Sequence, residues 1–394
     1  MLQLFFWQNT PSIHQAPLIR HVARLWPGDI FVVAEEDVSP SRLAQGWKVP
    51  DFSPAKLIVS PSPEMRRELL KRSASDSVHI FSGFHAYPKT YQSFRQALRY
   101  GRCTGVFAEA GRTGGLQGVL RRVRYRAHAL RWGRRLDFLL ATGELGVRFY
   151  RSCGFPSSKI YHFGYFVDPV GDSEQYSSQL GGTETEGTTF NLLFVGRLIE
   201  CKGVDILLKA LSQLTGQPWR LNIVGEGPKG EGLRAEANRL KILKHIHWLG
   251  TLPNHGVRHL MSQADCLVLP GRYDGWGAVV NEALLAGTPV VVSDACGSSD
   301  LIAAPWLGQV FRSESSDDLL RALMDRMKRG PVGRQKRLRI RRWAEECISP
   351  QRAAQYLMDI IRFVQEKRSI DRPVRPWGTG LIKSDAPNDT SFRD

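Results

Sequence analysis

"YDGWGAVVNEALLAGTPVVVSD", residues 273–294, decides how this chain is read. A glycine-flanked turn runs into a helical pattern, and a second turn at Gly287-Thr-Pro289 leads to the apolar run "VVVS". Asp274 lies in the first turn and Glu282 stands eight positions on, inside the helix, so the two carboxylates do not share one helix face. Loop, helix and buried strand in that order form the repeating unit of a parallel α/β sheet. Two acids distributed over the top of such a unit place a ligand there.

The same unit recurs on both sides. Upstream come the strand patterns "FNLLFVGRL", "WRLNIVGEG", "IHWLGTL" and "DCLVLP", separated by the helical patterns "VDILLKALSQL", "EGLRAEANRLKIL" and "VRHLMSQA". Downstream, "DDLLRALMDRMKRG" is helical and ends in a basic turn, and "SPQRAAQYLMDIIRFVQEKR" is a final amphipathic helix with a Ser-Pro start. The N-terminal half repeats the alternation with the strands "LQLFFW", "DIFVVAE", "AKLIVS", "SVHIFSGF", "TGVFAEAG" and "LDFLLATG". Between the halves "PVGDSEQYSSQLGGTETEGTT" is almost free of apolar residues and reads as a linker. The predicted organisation is an N-terminal domain over 1–168, a linker over 169–189 and a second domain over 190–345. A helix over 346–368 that can cross back to the first domain follows, then a structureless tail over 369–394.

Composition narrows the class. The chain has 394 residues, enough for two cored domains, and a formal charge of +16. That charge is uneven: residues 1–170 hold 24 Lys+Arg against 12 Asp+Glu, so the N-terminal half faces something anionic. Six scattered cysteines form no CxxC pair, which predicts buried thiols in a reducing compartment and no zinc. The first residues lack a charged leader with a long apolar core, and no apolar run is long enough to span a bilayer. A cytoplasmic protein, peripheral on a membrane face at most, is expected. A nucleic-acid partner would rest on charge alone, since no reading module is present.

Chemistry concentrates at the strand ends. In "LLFVGRLIECKGVDILLKAL", Gly196 turns the backbone and Arg197 and Lys202 follow within one loop, a fork and a point charge suited to a diphosphate. Gly275 and Gly277 flank Trp276 directly before a helix, so backbone N–H groups there can approach an anion. Glu282 is placed to accept from ribose hydroxyls and Asp274 from sugar hydroxyls. The plainer alternative is an acid near a helix start beside an exposed glutamate. It accounts for one acid at a time and leaves out Arg197 and Lys202.

Four stretches in one order over residues 190–302 resemble the GT-B glycosyltransferases, specifically the large retaining group called GT4, glycosyl transferases group 1. They are "FVGRLIECKGVDILLKAL", "LNIVGEGP", "WLGTLP" and "ADCLVLPGRYDGWGAVVNEALLAGTPVVVSDACGSSDLI". The resemblance implies an α/β fold of two Rossmann-like domains facing each other across a cleft. It implies that Arg197 and Lys202 bind the donor diphosphate and Glu282 the ribose, with Glu226 and Leu249 on the nucleobase side. Asp274 stands where the family carries the first Glu of its E-x7-E pattern, a shorter acid with the same charge. The family needs no metal and no cofactor, the nucleoside-diphosphate sugar being a substrate. The implied acceptor is a glycan or a lipid-linked glycan in surface-polysaccharide or lipopolysaccharide synthesis.

On the acceptor side the family often carries a His after a strand. Here the candidates are His85 in "FSGFHAY" and Glu109 in "VFAEAG", with Ser12 and His14 in the first strand-to-helix loop. The stretch 116–135, "LQGVLRRVRYRAHALRWGRR", carries seven arginines and an apolar stripe of Leu116, Val119, Leu120, Val123, Ala127 and Leu130. Two readings stand: a surface helix packing that stripe on its own sheet, or a helix touching anionic lipid. Two rival functions also stand beside the transferase, a sugar-nucleotide epimerase and a non-catalytic nucleotide-sugar binder.

Overall fold

The computed structural model describes residues 2–39, 48–73, 75–112, 114–169, 189–216, 218–366 and 369–378. The predicted linker therefore lies almost wholly outside the described residues, as does the tail from 379.

Seven strands form the first sheet: β1 (Gln3–Gln8), β2 (Asp29–Ala34), β3 (Lys56–Val59), β4 (Val78–Ser82), β5 (Cys103–Ala108), β6 (Phe138–Thr142) and β7 (Ile160–Phe163). Their order is β3-β2-β1-β4-β5-β6-β7, and every pairing is parallel. Six more form the second: β8 (Phe190–Val195), β9 (Trp219–Val224), β10 (Ile246–Trp248), β11 (Cys266–Leu269), β12 (Val290–Ser293) and β13 (Gly308–Phe311), in the order β10-β9-β8-β11-β12-β13, again all parallel. Helices cover both faces of each sheet, so β6, β11 and β12 are buried at every position and show no polar alternation. Strand order reverses between β1 and β4 and between β8 and β11, which opens a crevice above the carboxyl ends there. These are two Rossmann-like domains.

Two strands and a helix exceed the sequence-based expectation. β7 ("IYHF") and β13 ("GQVF") are four residues long and interrupted by polar residues, so neither makes an apolar run. Helix Arg334–Ile348 occupies the expected basic turn; arginines fill its first half and hide the buried side of Ile340, Trp343, Ala344, Cys347 and Ile348.

The chain then returns. The Ser349 side chain accepts from Arg352 N and starts helix Pro350–Gln365, which lies along helix Ala16–Leu25 of the first domain. The expectation of a structureless chain from 369 fails for residues 369–378. Trp377 is 1% exposed and packs on Phe166 and Tyr356, Arg375 holds Asp300 through both carboxylate oxygens, and Arg372 donates to the carbonyls of Ser158 and Ile160. Polar composition around these three side chains obscured an aromatic anchor and two arginine forks. One apolar core consequently runs from Leu4 and Val32 through Phe163 and Phe166 to Trp276, Val290 and Ile360, joining the two domains.

Candidate active site

The loop after β8 is shaped by its glycines. Gly203 adopts φ 67°, and a Cβ there would lie 2.0 Å from the Pro270 carbonyl oxygen. Only a residue without a side chain lets this turn lie against the loop after β11. The close approach brings Lys202 Nζ to 2.5 Å from Asp274 Oδ2, with the two side chains 23% and 15% exposed. Asp274 is also held by a bridge to Cys296 and accepts from Trp276 N at 3.3 Å. Arg272 forks onto Asp205 with two 2.7 Å contacts and fixes the same loop from below. Arg197 is exposed, and its side chain engages no carboxylate among the described residues.

Glu226 and Leu249 come together because the loops after β9 and β10 are adjacent: a Cβ on Gly250 would lie 3.1 Å from Glu226 Oε1, and Gly225 N donates to Gly250 O. Glu282 sits half-buried in helix Val279–Leu285, where burial raises its carboxyl above the ordinary range and Arg258 opposes the rise. The second domain thus presents Gly196, Arg197, Lys202, Glu226, Leu249, Asp274 and Glu282 at the carboxyl ends of its strands.

The first domain meets this surface at Gly275. Glu109 follows β5, and a Cβ on Gly275 would fall 1.9 Å from Glu109 Oε2. Thr142 Oγ1 donates to Gly275 O at 3.0 Å, and Tyr273 OH donates to Ala110 O at 2.5 Å. Tyr165 OH donates to Glu109 Oε1 at 2.8 Å. The Glu109 carboxylate remains reached by water through the crevice, yet the surrounding walls desolvate it and push its carboxyl upward. Tyr165 and Lys202 pull it down, and Asp274 adds to the rise. A cavity of about 390 Å³ opens beside it, lined by Asn9, Ser12, His14, Glu109, Tyr125 and Tyr165 among others. A second, of about 870 Å³, lies between the domains and carries Arg112, Arg122, Arg148, Arg272 and Tyr273. Arg148 is paired with Glu144 and Arg272 with Asp205, while Arg112 stacks over Tyr273 at 4.9 Å.

Two predicted site residues are placed elsewhere. His85 lines neither cavity: its Nε2 meets Arg124 Nη1 at 2.7 Å, its ring stacks on His128 and meets Tyr125 edge-on, and burial and the Arg124 charge lower its pKa. It braces helix Gly115–Trp132 and does not reach the crevice. Trp276 is 2% exposed, donates from Nε1 to Asn281 Oδ1 at 2.8 Å, and fills the space over Gly164, where a Cβ would clash at 2.4 Å. Its indole is an interdomain wedge, leaving Gly275 and Gly277 to shape the loop. Sequence reading missed Tyr165 and Thr142, which act across separations of 56 and 133 positions that no local pattern marks. Among the described residues Glu144, His162 and Asp300 have the types and spacing of metal ligands, but Arg148 and Arg375 already engage the two carboxylates.

Residues 181–346 match the family described as Glycosyl transferases group 1. The C-terminal domain is a group 1 glycosyltransferase domain. Glycogen synthase of Mycobacterium tuberculosis is 36% identical to this chain over 113 residues, which cover 28% of this chain and 27% of that protein. A putative colanic acid biosynthesis glycosyltransferase, WcaL, of Salmonella typhimurium is 28% identical over 201 residues, 49% of this chain and 48% of the relative. The chain therefore spans between about a quarter and a half of the curated relatives it matches. The whole fold, with the group 1 glycosyltransferase domain as its second half, is shared with solved structures. Anabaena Alr3699/HepE in complex with UDP superposes with a TM-score of 0.68 at 16% identity, covering 92% of this chain and 100% of that one. The lipopolysaccharide outer core galactosyltransferase WaaB superposes with a TM-score of 0.64 at 16% identity, covering 92% and 99%. The architecture is GT-B.

Helix Gly115–Trp132 overturns one expectation. Its buried side is Gly118, Tyr125, Ala129 and Trp132, meshed with Phe84, Phe94 and Phe149. The apolar stripe points outward instead: Leu116 is 86% exposed, Val119 56%, Leu120 66%, Val123 61% and Leu130 88%. Aromatic rings bury more area than Leu and Val do, so the aromatic side of the helix takes the sheet.

Proposed function

We propose that the protein is a retaining, metal-independent hexosyltransferase that moves a sugar from a nucleoside-diphosphate donor to a glycan or lipid-linked acceptor in surface-polysaccharide synthesis. The observation that carries this is the Lys202–Asp274 pair of the second domain set against Glu109 of the first across Gly275. The acceptor hydroxyl oxygen attacks the anomeric carbon on the face from which the diphosphate leaves. The new C–O bond forms as the donor C–O bond breaks, and a diphosphate oxygen takes the hydroxyl proton. Lys202 and Arg197 stabilise the charge that grows on the diphosphate, a preorganised electrostatic role. Asp274 accepts from donor-sugar hydroxyls, Glu282 from the ribose, and Glu109 from the incoming acceptor. The sugar nucleotide is the substrate, and no resident cofactor enters this scheme.

UDP is the leading donor nucleotide, because the Anabaena structures that share the fold are named as complexes with UDP and UDP-glucose. Thermal unfolding against UDP-, GDP- and ADP-sugars tests the reading. One nucleotide class is expected to stabilise the protein by about 2.7 kcal/mol at a hundredfold excess over Kd. No shift with any class would overturn the donor site.

The outward stripe supports an acceptor that comes from a membrane surface. Five apolar side chains exposed on one helix, flanked by Arg122, Arg126 and Arg131, fit an interfacial amphipathic helix lying on an anionic bilayer. Each such side chain gains roughly 1.5–3 kcal/mol when fully buried, which a bilayer boundary supplies. The helix begins at the rim of the interdomain cavity, where Gly114 and Arg122 are lining residues, so an anionic lipid-linked acceptor would enter beside it. Among the described residues no helix is long and apolar enough to cross a membrane. Replacing Leu116, Leu120 and Val123 by serine is expected to weaken binding to mixed phosphatidylcholine–phosphatidylglycerol vesicles at least about tenfold without changing the thermal midpoint. Unchanged vesicle binding by the triple variant would remove the membrane from the scheme.

A further inference from the structure

A third cavity, of about 470 Å³, lies at the opposite end of the second domain from the crevice. Pro289, which precedes β12, and Pro305 and Trp306, which precede β13, place it beneath the amino ends of the strands. Five cationic side chains line it, Arg326, Lys328, Arg329, Lys336 and Arg339, and no carboxylate does. The end of helix Ser316–Lys328 accounts for Lys328 and Arg329, since cations favour a helix C-terminus. It does not account for Arg326. That residue is 6% exposed, its Nε has no hydrogen-bond partner, and its other contacts are a 3.5 Å hydrogen bond to Gly330 O and the Phe190 ring at 5.8 Å. The buried acid nearby, Asp265, is already used: it accepts from Asn191 N and Val332 N and faces Arg337 at 3.9 Å. Among the described residues Arg326 forms no ion pair; Lys328, at the mouth, has a loose contact of 3.9 Å with Asp325. A buried guanidinium with donors to spare is costly unless an anion completes it.

We propose that this pocket binds a small soluble phosphate-bearing anion, with Arg326 at its base and Lys336 and Arg339 at its mouth. Arg339 lies over the Trp306 ring, its Cζ 4.5 Å from the centroid, and Ile340, Val332 and the two prolines offer an apolar wall to an organic portion. The volume suits a sugar phosphate or a mononucleotide. Guanidinium and ammonium groups together match phosphate oxygens by fork and by point charge.

Pyrophosphate binding, measured by calorimetry at fixed ionic strength, tests the site in a Lys202→Ala background that removes one of the two crevice cations and so weakens competing binding there. Binding is expected to persist there. It should fall at least tenfold on adding Lys336→Gln and Arg339→Gln, both exposed positions whose loss leaves the core untouched. Lys209→Gln with Lys244→Gln, an equal charge change on remote exposed residues, should leave the affinity as it was. No binding in the Lys202→Ala protein, or equal affinity in both double variants, would overturn the proposal. Vesicles containing phosphatidic acid present the same group on a surface and are expected to leave bound pyrophosphate in place; displacement by them would overturn the assignment to a soluble ligand.

Discussion

Lys202→Ala lowers turnover by about 10²–10³-fold while both sheets stay folded, the loss expected for one preorganised charge donor at a departing anion. Lys202 Nζ lies at the junction of the loops after β8 and β11, and its 2.5 Å contact with Asp274 aims it at the crevice. Removing the ammonium also leaves the largely buried Asp274 carboxylate with only a 3.3 Å hydrogen bond from Trp276 N among the described residues. That adds a stability cost of about 1–3 kcal/mol, since a buried charged group loses its partner. The two effects separate experimentally. Unfolding midpoints report the second, and turnover measured well below the midpoint reports the first. Near-normal turnover in a folded Lys202→Ala protein would sink the diphosphate assignment.

Gly203→Ala is expected to destabilise the protein far more than a surface glycine change. An L-residue in the left-handed region costs about 1–2 kcal/mol, and forcing a methyl into an occupied space adds about 1–3 kcal/mol. At Gly203 the occupied space is a backbone oxygen, Pro270 O, which has no rotamer to yield. Either the loop carrying Lys202 or the loop carrying Asp274 must move, so donor affinity falls together with stability. Gly216 supplies the control. It has φ 91°, and a Cβ there meets nothing within 4 Å, so Gly216→Ala isolates the backbone strain. Equal losses in the two variants, by denaturant midpoint, would show that the loops after β8 and β11 do not depend on this close approach.

Apart from β7 and β13, both sheets and the loops that carry chemistry are legible in the residue pattern alone. Runs such as "LLFV" and "VVVS" are apolar at consecutive positions because parallel strands are covered on both faces, and a glycine at the strand end is required where one loop crosses another. That placed Gly196, Lys202, Asp274 and Glu282 at the carboxyl ends of strands without a structure. Short or polar-interrupted elements were not legible: β7, β13 and the arginine-rich helix Arg334–Ile348 owe their form to the surfaces they pack on.

Which side chains meet depends on long-range packing. Lys202 and Asp274 are 72 positions apart and meet where two loops of the second sheet lie against each other, whereas Glu109 reaches Gly275 from another domain, so that approach depends on how two sheets dock. The same docking turned Trp276 into a wedge, whereas packing within the first domain left His85 stacked on His128 beside helix Gly115–Trp132. Periodicity determined which residues of that helix share a face, but not which face turns inward. Tyr125 and Trp132 won that competition by filling an aromatic recess, and the Leu and Val stripe was left outside. A one-dimensional pattern carries the spacing of apolar residues, whereas the direction of burial is set by the shape of the partner surface.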